Sequence, residues 1–173
     1  MKEFKSGLIK IRPDMPLIVG TVSDKAHFRR AQRVSRNSCD VVEVRLDKIG
    51  ITADWLDQCI KIESAGLPVI LTVRSVNEGG EWSGGESLRE AILKKAIDVL
   101  SCVDIELKSS ICPSICKHAR QKGKLVVVSA HDFRHTPSAK VLGSMVRRMM
   151  LFSNAIPKIA TMINDSSDAI RLL

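Results

Sequence analysis

The feature that most constrains this chain is a regular alternation between short apolar segments and segments with helical periodicity. Six apolar runs rich in β-branched residues recur along the 173 residues, separated by stretches with apolar residues at helical spacing. The predicted strands are residues 17–22, 41–46, 69–73, 103–107, 125–130 and 157–162. The predicted helices are residues 25–36, a segment from Thr52 or Asp54 to residue 64, and residues 86–100, 111–121 and 138–152, with a further helix capped by Asn164 or Asp165. Successive βα units predict a parallel sheet covered by helices.

Chain length limits the possible architectures but does not decide between them. An open doubly wound sheet and a closed (β/α)₈ barrel share this alternation, and periodicity does not separate them. A (β/α)₈ barrel has about 250 residues, whereas this chain has 173 residues and about six βα units. No helix-stop signal precedes Leu173. We therefore expect residues 1–173 to form one partial catalytic domain, cut off after the sixth unit of a barrel.

The composition argues against some classes of function. The formal net charge is +8, but only 3% of the residues are aromatic, tyrosine is absent, and the basic residues are dispersed. A nucleic-acid-binding module clusters its cations and adds aromatic side chains for stacking. We therefore favour a basic surface that suits an anionic small molecule and expect no nucleic-acid partner. No apolar run approaches the ~18 residues of a membrane span, so no membrane partner is expected.

The five cysteines bear on the compartment and on metal binding. They are scattered and odd in number, which indicates reduced thiols and a cytoplasmic protein. Cys112, Cys116 and His118 match no common zinc spacing, so no metal site is expected.

Charged residues stand at the ends of the predicted strands, where packing alone does not require them. Glu43, Arg45 and Asp47 alternate along the second strand and therefore share one face. A structural ion pair and a ligand-binding face explain this pattern equally well. Arg74 ends the third strand, and Glu78 follows in a glycine-rich loop that matches no phosphate-binding motif. We interpret that segment as a mobile loop at the catalytic face.

The fourth and fifth strands also end in polar residues. Asp104, Glu106 and Lys108 alternate on one face, and we interpret them as a structural network. His131 ends a strand that begins with three valines. Active sites of α/β barrels form at the carboxyl ends of the strands, which makes His131 a candidate catalytic residue.

Lys158 interrupts a sixth strand that otherwise has the composition of a buried one. An unpaired ammonium group is costly to bury, and a lysine in a strand is commonly an edge residue whose charge reaches solvent. Inside a closed barrel, desolvation and neighbouring cations such as Arg45 and Arg74 favour the neutral amine. A neutral amine is a nucleophile that forms a Schiff base with a ketone, so Lys158 is a further catalytic candidate.

Five segments taken together resemble one enzyme family. They are EVRLD, TVRSVNEGGEW, DIELKSS, VVSAHDF and PKIATM, in this order along nearly the whole chain. Their combination resembles type I 3-dehydroquinate dehydratase. The resemblance implies a (β/α)₈ TIM barrel, usually homodimeric, in the shikimate pathway of aromatic amino-acid biosynthesis. It also implies a hydro-lyase that converts 3-dehydroquinate to 3-dehydroshikimate through a Schiff base, without a metal or cofactor.

The same resemblance implies roles for individual residues. Lys158 matches the Schiff-base lysine of the family, His131 matches its catalytic histidine, and Glu78 matches the glutamate beside that histidine. The residues that match substrate-binding positions are Glu43, Arg45 and Arg74.

The chain departs from the family pattern at two places. Gly20 or Thr21 stands where some members carry a serine. The family also has a carboxylate-binding arginine after its seventh strand and a serine/glutamine loop after its eighth, and we expect this chain to end before both. The alternatives are a catalytically incomplete fragment of the family, another Schiff-base barrel such as a class I aldolase, or, on charge alone, a nucleic-acid-binding module.

Overall fold

The computed structural model describes residues 4–6, 9–11, 14–34 and 36–172. The strands in these ranges are β1 (Phe4–Ser6), β2 (Ile9–Ile11), β3 (Val19–Val22), β4 (Val41–Arg45), β5 (Val69–Thr72), β6 (Cys102–Glu106), β7 (Leu125–Asp132) and β8 (Ala155–Thr161). The α-helices are α1 (Lys25–Arg30), α2 (Leu46–Ile49), α3 (Trp55–Ser64), α4 (Glu86–Val99), α5 (Cys112–Gln121), α6 (Ala139–Met149) and α7 (Ser166–Leu172). Two 3₁₀ helices, Ala31–Arg33 and Val76–Glu78, lie in the same ranges.

The six predicted strands form one sheet, β3 to β8, in sequence order and with every pair parallel. The sheet is curled, because side chains from β3 at one end and β8 at the other line the same cavity of about 680 Å³. This architecture confirms the predicted α/β class and corresponds to part of a (β/α)₈ barrel. In the described part of the chain, β3 and β8 are the outer strands of this sheet.

A short antiparallel hairpin of β1 and β2 precedes the curled sheet. Ile9 of this hairpin is buried against Cys102, Leu125 and Val127, where β6 and β7 begin. The hairpin therefore covers the amino-terminal end of the sheet, opposite the edge at which the polar residues cluster. The sequence did not predict this hairpin, because strands of three residues are too short to show a clear alternation.

The core lies between the convex face of the sheet and the helices. Strand β6 is buried on both faces, as expected for a covered parallel strand. Helix α4 packs Ile92, Leu93, Ala96 and Ile97 inwards as one apolar stripe, whereas Leu88 and Val99, which share its apolar spacing in the sequence, are exposed. The five cysteines are all unpaired and buried. None of the described helices has both the length and the apolar character that crossing a bilayer requires.

Several boundaries differ from the sequence prediction, among them those of α1 and β8. The helix predicted at residues 25–36 is shorter, because α1 ends at Arg30 and continues only as the 3₁₀ turn Ala31–Arg33, while Ser35 lies outside the described residues. Strand β8 begins before Pro157, which pairs with Val128 from inside the strand. Proline lacks the N–H that a central strand donates, and β8 tolerates it because β8 has a neighbour on one side only among the described strands.

We expect the buried stripe of α4 to dominate its contribution to stability. The side chain of Leu93 is 0% exposed and that of Leu88, on the same helix, is 53% exposed. Leu93→Ala should lower the free energy of unfolding by about 2–5 kcal/mol because it leaves a cavity. Leu88→Ala should change it by about 0.5 kcal/mol or less. Urea denaturation of both variants measures the difference, and equal losses would contradict the packing described above.

Candidate active site

The carboxyl edge of the curled sheet collects the polar side chains that the sequence placed at strand ends. Lys158 lies on β8 directly opposite Ser129 of β7, and His131 stands two residues further along β7. Strand β7 runs to Asp132, two residues beyond its predicted end, so His131 is held within a paired strand. Residues two apart on a strand share a face. His131 therefore projects from the same face as Ser129, beside Lys158.

The ammonium group of Lys158 is in contact with two carboxylates. Its Nζ lies 3.3 Å from Oδ2 of Asp104 and 3.7 Å from Oε1 of Glu43. The side chain is 40% exposed and lines the cavity of about 680 Å³ inside the curled sheet. The expected cationic neighbours were Arg45 and Arg74. Arg74 does lie close, because its NH2 contacts the same Asp104 oxygen as Nζ, but the groups within ion-pair distance of Nζ are acidic.

Asp104 is the most enclosed charged group beside Lys158. It is 1% exposed, and its Oδ2 also forms an ion pair with Arg74 NH2 at 2.9 Å. Its other oxygen accepts from the Ser129 hydroxyl at 2.7 Å. Burial favours the neutral acid, but the charges of Arg74 and Lys158 and the Ser129 hydrogen bond outweigh it and hold the pKa of Asp104 below its ordinary value. Asp104 is therefore an ionised group in the interior.

The charged network continues from Arg74 away from Lys158. Arg74 NH1 lies 3.4 Å from Oε1 of Glu106, and Oε2 of Glu106 contacts Arg89 on α4. Arg89 also donates to the carbonyl of Val73 at 2.7 Å and to Glu86 at 2.9 Å. Two nearly inaccessible guanidinium groups are thus matched by carboxylates, as buried charges require. The interpretation of Glu106 as part of a structural network agrees with these contacts.

Strand β4 contributes a carboxylate and an ion pair to the same edge. Glu43 accepts hydrogen bonds from Thr72 at 2.8 Å and from Thr21 at 3.1 Å, which orient it towards the cavity. Arg45 donates two hydrogen bonds to Asp47, at 2.9 and 2.8 Å. Burial opposes ionisation of Asp47, but the hydrogen bonds from Arg45 and from the backbone prevail and lower its pKa.

Glu78 and His131 are in contact, as the family resemblance implied. Nδ1 of His131 lies 3.0 Å from Oε2 of Glu78, and both side chains are 11% exposed. A carboxylate can only accept, so the proton of this hydrogen bond belongs to Nδ1. Nε2 is then the nitrogen that is free to act as a base. Glu78 thus selects the tautomer of His131.

The loop that carries Glu78 is shaped by a close approach of aromatic and backbone groups. Glu78 ends the 3₁₀ turn Val76–Glu78, which is followed by Gly79 with a φ of 75°. A Cβ atom on Gly79 would lie 2.5 Å from the ring of Phe133. The Phe133 ring in turn stacks on His131 at a centroid distance of 6.1 Å. Only glycine fits both the backbone angle and the available space.

Two large cavities are lined by these residues. One, of about 680 Å³, contains Lys158, Glu43 and Asp104, and the other, of about 670 Å³, contains His131 and Glu78. These volumes suit a small organic ligand. Across the described residues, no group of three His, Cys, Asp or Glu side chains is arranged to hold a metal ion.

All six predicted site residues lie at this edge, but they form three separate groups. Lys158 contacts Glu43 and, through Asp104, is joined to Arg74. His131 contacts Glu78, and Arg45 pairs with Asp47. Three residues in contact with this cluster were not predicted as part of the site: Asp47, Asp104 and Ser129. Asp47 and Asp104 showed the same alternation as the predicted residues, whereas Ser129 gave no sequence signal beyond its position two residues before His131.

Comparisons with known proteins agree with this geometry. A protein-family model described as type I 3-dehydroquinase matches residues 16–173. This chain belongs to the type I 3-dehydroquinase family. A curated relative, the 3-dehydroquinate dehydratase of Methanosarcina acetivorans, is 36% identical over 165 residues, which cover 90% of this chain and 67% of the relative.

Solved structures of the family share the fold. The 3-dehydroquinate dehydratase of Aquifex aeolicus superimposes with a TM-score of 0.80 at 27% identity and covers 90% of this chain and 71% of its own. The enzyme of that name from Geobacillus kaustophilus gives a TM-score of 0.88 at 24% identity, over 99% of this chain and 71% of its own. The type I 3-dehydroquinase chain described here thus spans about two thirds of the length of such relatives.

The partly buried ion pair of Asp47 and Arg45 predicts a pH-dependent stability for this family member. Asp47→Asn should lower the free energy of unfolding at pH 7 by about 1.5–3 kcal/mol, because it removes a charged hydrogen-bond acceptor. The pKa of Asp47 is depressed in the folded chain. The stabilisation by the Asp47 carboxylate is therefore complete above the pKa of Asp47 in the unfolded chain, which is about 4. It is lost as the pH falls from there through the lower pKa of the folded chain.

Urea denaturation at several pH values tests this expectation. The difference between Asp47→Asn and the wild-type chain should narrow below about pH 4. Asp57→Asn, at an exposed position on α3, is the matched control and should change stability little at any pH. A difference for Asp47→Asn that stays constant down to pH 2 would contradict the ion pair.

Proposed function

We propose that this chain catalyses the Schiff-base-dependent dehydration of 3-dehydroquinate to 3-dehydroshikimate, a step of the shikimate pathway. Membership of the type I 3-dehydroquinase family supports the reaction. The observation that carries the proposal is the position of Lys158. Its amine faces a cavity inside the sheet, on the strand next to the one that carries the His131–Glu78 pair.

The first step forms the covalent intermediate. The amine of Lys158 attacks the C3 carbonyl carbon, so that an N–C bond forms and the carbonyl oxygen becomes a hydroxyl group. The oxygen then leaves as water and carries away two of the ammonium's three protons. The nitrogen retains one proton and one positive charge as an iminium. His131 assists both proton movements.

The second step is the elimination. The iminium acts as an electron sink and makes the C2 proton acidic. Nε2 of His131 removes that proton as a general base and then delivers it to the departing C1 hydroxyl group, which leaves as water. Addition of a second water molecule to the iminium returns the ketone and the free amine. Glu78 keeps His131 in the tautomer that this sequence of steps requires.

The remaining predicted residues are proposed to hold the substrate. Glu43 is oriented by Thr21 and Thr72 and can accept hydrogen bonds from ring hydroxyl groups. Arg45 keeps its pairing with Asp47 and presents the guanidinium edge that this pairing leaves unused. Arg74 is only 4% exposed, so we assign its contact with the ligand to the side next to Asp104 and Lys158.

Several broader expectations belong to the same proposal. We infer that residues 1–173 act as one partial barrel domain, as a homodimer where the barrel is complete, and in the cytoplasm. Five unpaired thiols support a reducing compartment, and the resemblance supports the dimer. Dispersed basic residues and few aromatic residues argue against a nucleic-acid partner.

Chemical trapping tests the role of Lys158. Sodium borohydride added with 3-dehydroquinate should reduce the iminium and leave a stable mass increase on the peptide that contains Lys158. The variant Lys158→Met should show no adduct, and Lys140→Met, which removes an exposed lysine of α6, should be modified like the wild-type chain. An adduct on another lysine, or none on the wild-type chain, would refute the assignment.

Steady-state kinetics test the role of His131. His131→Asn should lower the dehydration rate by about 10²–10⁴-fold, the usual contribution of general acid–base catalysis. The matched control is His135→Asn, because His135 is exposed and pairs only with Asp132 among the described residues. An equal effect of the two substitutions would remove His131 from the mechanism.

The trapping and kinetic measurements also distinguish the incomplete-fragment alternative. Strands β3 and β8 are the outer strands of the described sheet, and the chain covers 67% of the Methanosarcina acetivorans relative. A chain that forms the adduct but does not turn over would have the nucleophile and lack later parts of the site. Turnover at the rate of a full-length relative would exclude this alternative.

A further inference from the structure

Asp104 is a buried carboxylate that contacts two cations through one oxygen. A single oxygen, Oδ2, lies 3.3 Å from Nζ of Lys158 and 2.9 Å from NH2 of Arg74. The opposite oxygen accepts from Ser129 at 2.7 Å. Ser129 is itself fully buried and accepts a hydrogen bond of 2.6 Å from Arg74. The carboxylate is therefore held on both sides and directed at the nitrogen of Lys158.

We propose that Asp104 is a further catalytic residue, the fixed counter-ion of the Lys158 nitrogen both as an ammonium and as an iminium. This inference rests on the proposed function for the iminium, while the contact with the amine is a property of the chain alone. Asp104 takes no proton in this role. It stays ionised while the two protons leave the nitrogen with the departing oxygen, as in the mechanism above.

The second carboxylate near Lys158 fits this role less well. Glu43 lies farther from Nζ, at 3.7 Å, and its own hydrogen bonds come from two threonine hydroxyls without a cation. Asp104 is also less exposed than Glu43, with side-chain exposures of 1% and 13%. Charges interact more strongly where solvent is excluded. The electrostatic influence on Nζ is therefore greater from Asp104.

Arg74 limits how strongly Asp104 holds the ammonium. Because both cations lie on one oxygen, the positive charge of Arg74 offsets part of the attraction between Asp104 and Lys158. Asp104 therefore positions the nitrogen with less than the attraction of an isolated ion pair. Removing the charge of Asp104 and removing the charge of Arg74 should therefore move the pH midpoint of Lys158 modification in opposite directions.

The charged and titratable groups around Lys158 come from four neighbouring strands or the loops that follow them. They are Glu43 on β4, Arg74 after β5, Asp104 on β6 and His131 on β7. The first three form one continuous set of ion pairs with Nζ or with Asp104, whereas His131 is paired with Glu78. The pH dependence of Lys158 reactivity should therefore be compared among variants of Glu43, Arg74 and Asp104.

Reductive methylation measures this reactivity without any enzyme substrate. Short pulses of formaldehyde and cyanoborohydride at a series of pH values modify neutral amines, and peptide mass spectrometry reports the extent at Lys158. Removal of the carboxylate in Asp104→Asn should move the midpoint for Lys158 to a lower pH by about one unit or more. Arg74→Gln should move it to a higher pH, since the competing cation is gone.

Two further variants make the comparison specific. Ser129→Ala keeps every charge in place, so its midpoint should stay close to that of the wild-type chain. Glu43→Gln should produce a smaller downward shift than Asp104→Asn. A wild-type midpoint in Asp104→Asn, or a larger shift in Glu43→Gln, would overturn the assignment of Asp104.

The design remains decisive if one variant does not fold. Should Asp104→Asn fail to give a cooperative thermal transition, Arg74→Gln decides, and an unchanged or lowered midpoint there would overturn the proposal. Borohydride trapping with 3-dehydroquinate, run in parallel, tests the function separately. Shifted midpoints without an adduct would support Asp104 as the counter-ion and reject the proposed function. An adduct with unshifted midpoints would support the proposed function and reject Asp104 as the counter-ion.

Discussion

The buried contact between Asp104 and Arg74 is the interaction on which the rest of the site depends. Their ion pair of 2.9 Å connects the Lys158 nitrogen on one side with Glu106 on the other. Breaking a buried ion pair by removing one partner costs about 3–5 kcal/mol, because the other charge is left uncompensated. Lys158 and the interior network therefore share one electrostatic balance.

The fold explains why these charges meet. Parallel strands end at a common edge, and the curl of the sheet turns the inward-facing side chains of that edge towards one another. Hydrogen bonds join Asp104 to Ser129 on the next strand, and Thr72 joins Glu43 in the same way. Helix α4 adds Arg89 from outside the sheet to complete the network. Rigid strands thereby hold groups that loops would position less accurately.

The sequence predicted the parts of the structure that depend on local pattern. Six strands followed from their apolar runs, and Lys158 and His131 were recognised because each interrupts or ends such a run. The partner of Lys158 was not predictable in this way, since Asp104 lies 54 residues away along the chain. Sequence alternation placed Asp104 on a face but did not show which strand that face would meet. Segments as short as Phe4–Ser6 offer too few residues for any pattern.

The most direct test of this account is a crystal structure of the chain reduced by borohydride in the presence of 3-dehydroquinate. The account predicts a covalent bond between Nζ of Lys158 and C3 of the ligand, with Oδ2 of Asp104 still the nearest carboxylate oxygen. It also predicts that C2 of the ring faces Nε2 of His131. A ligand bonded to a different lysine, or one whose C2 is turned away from His131, would contradict it.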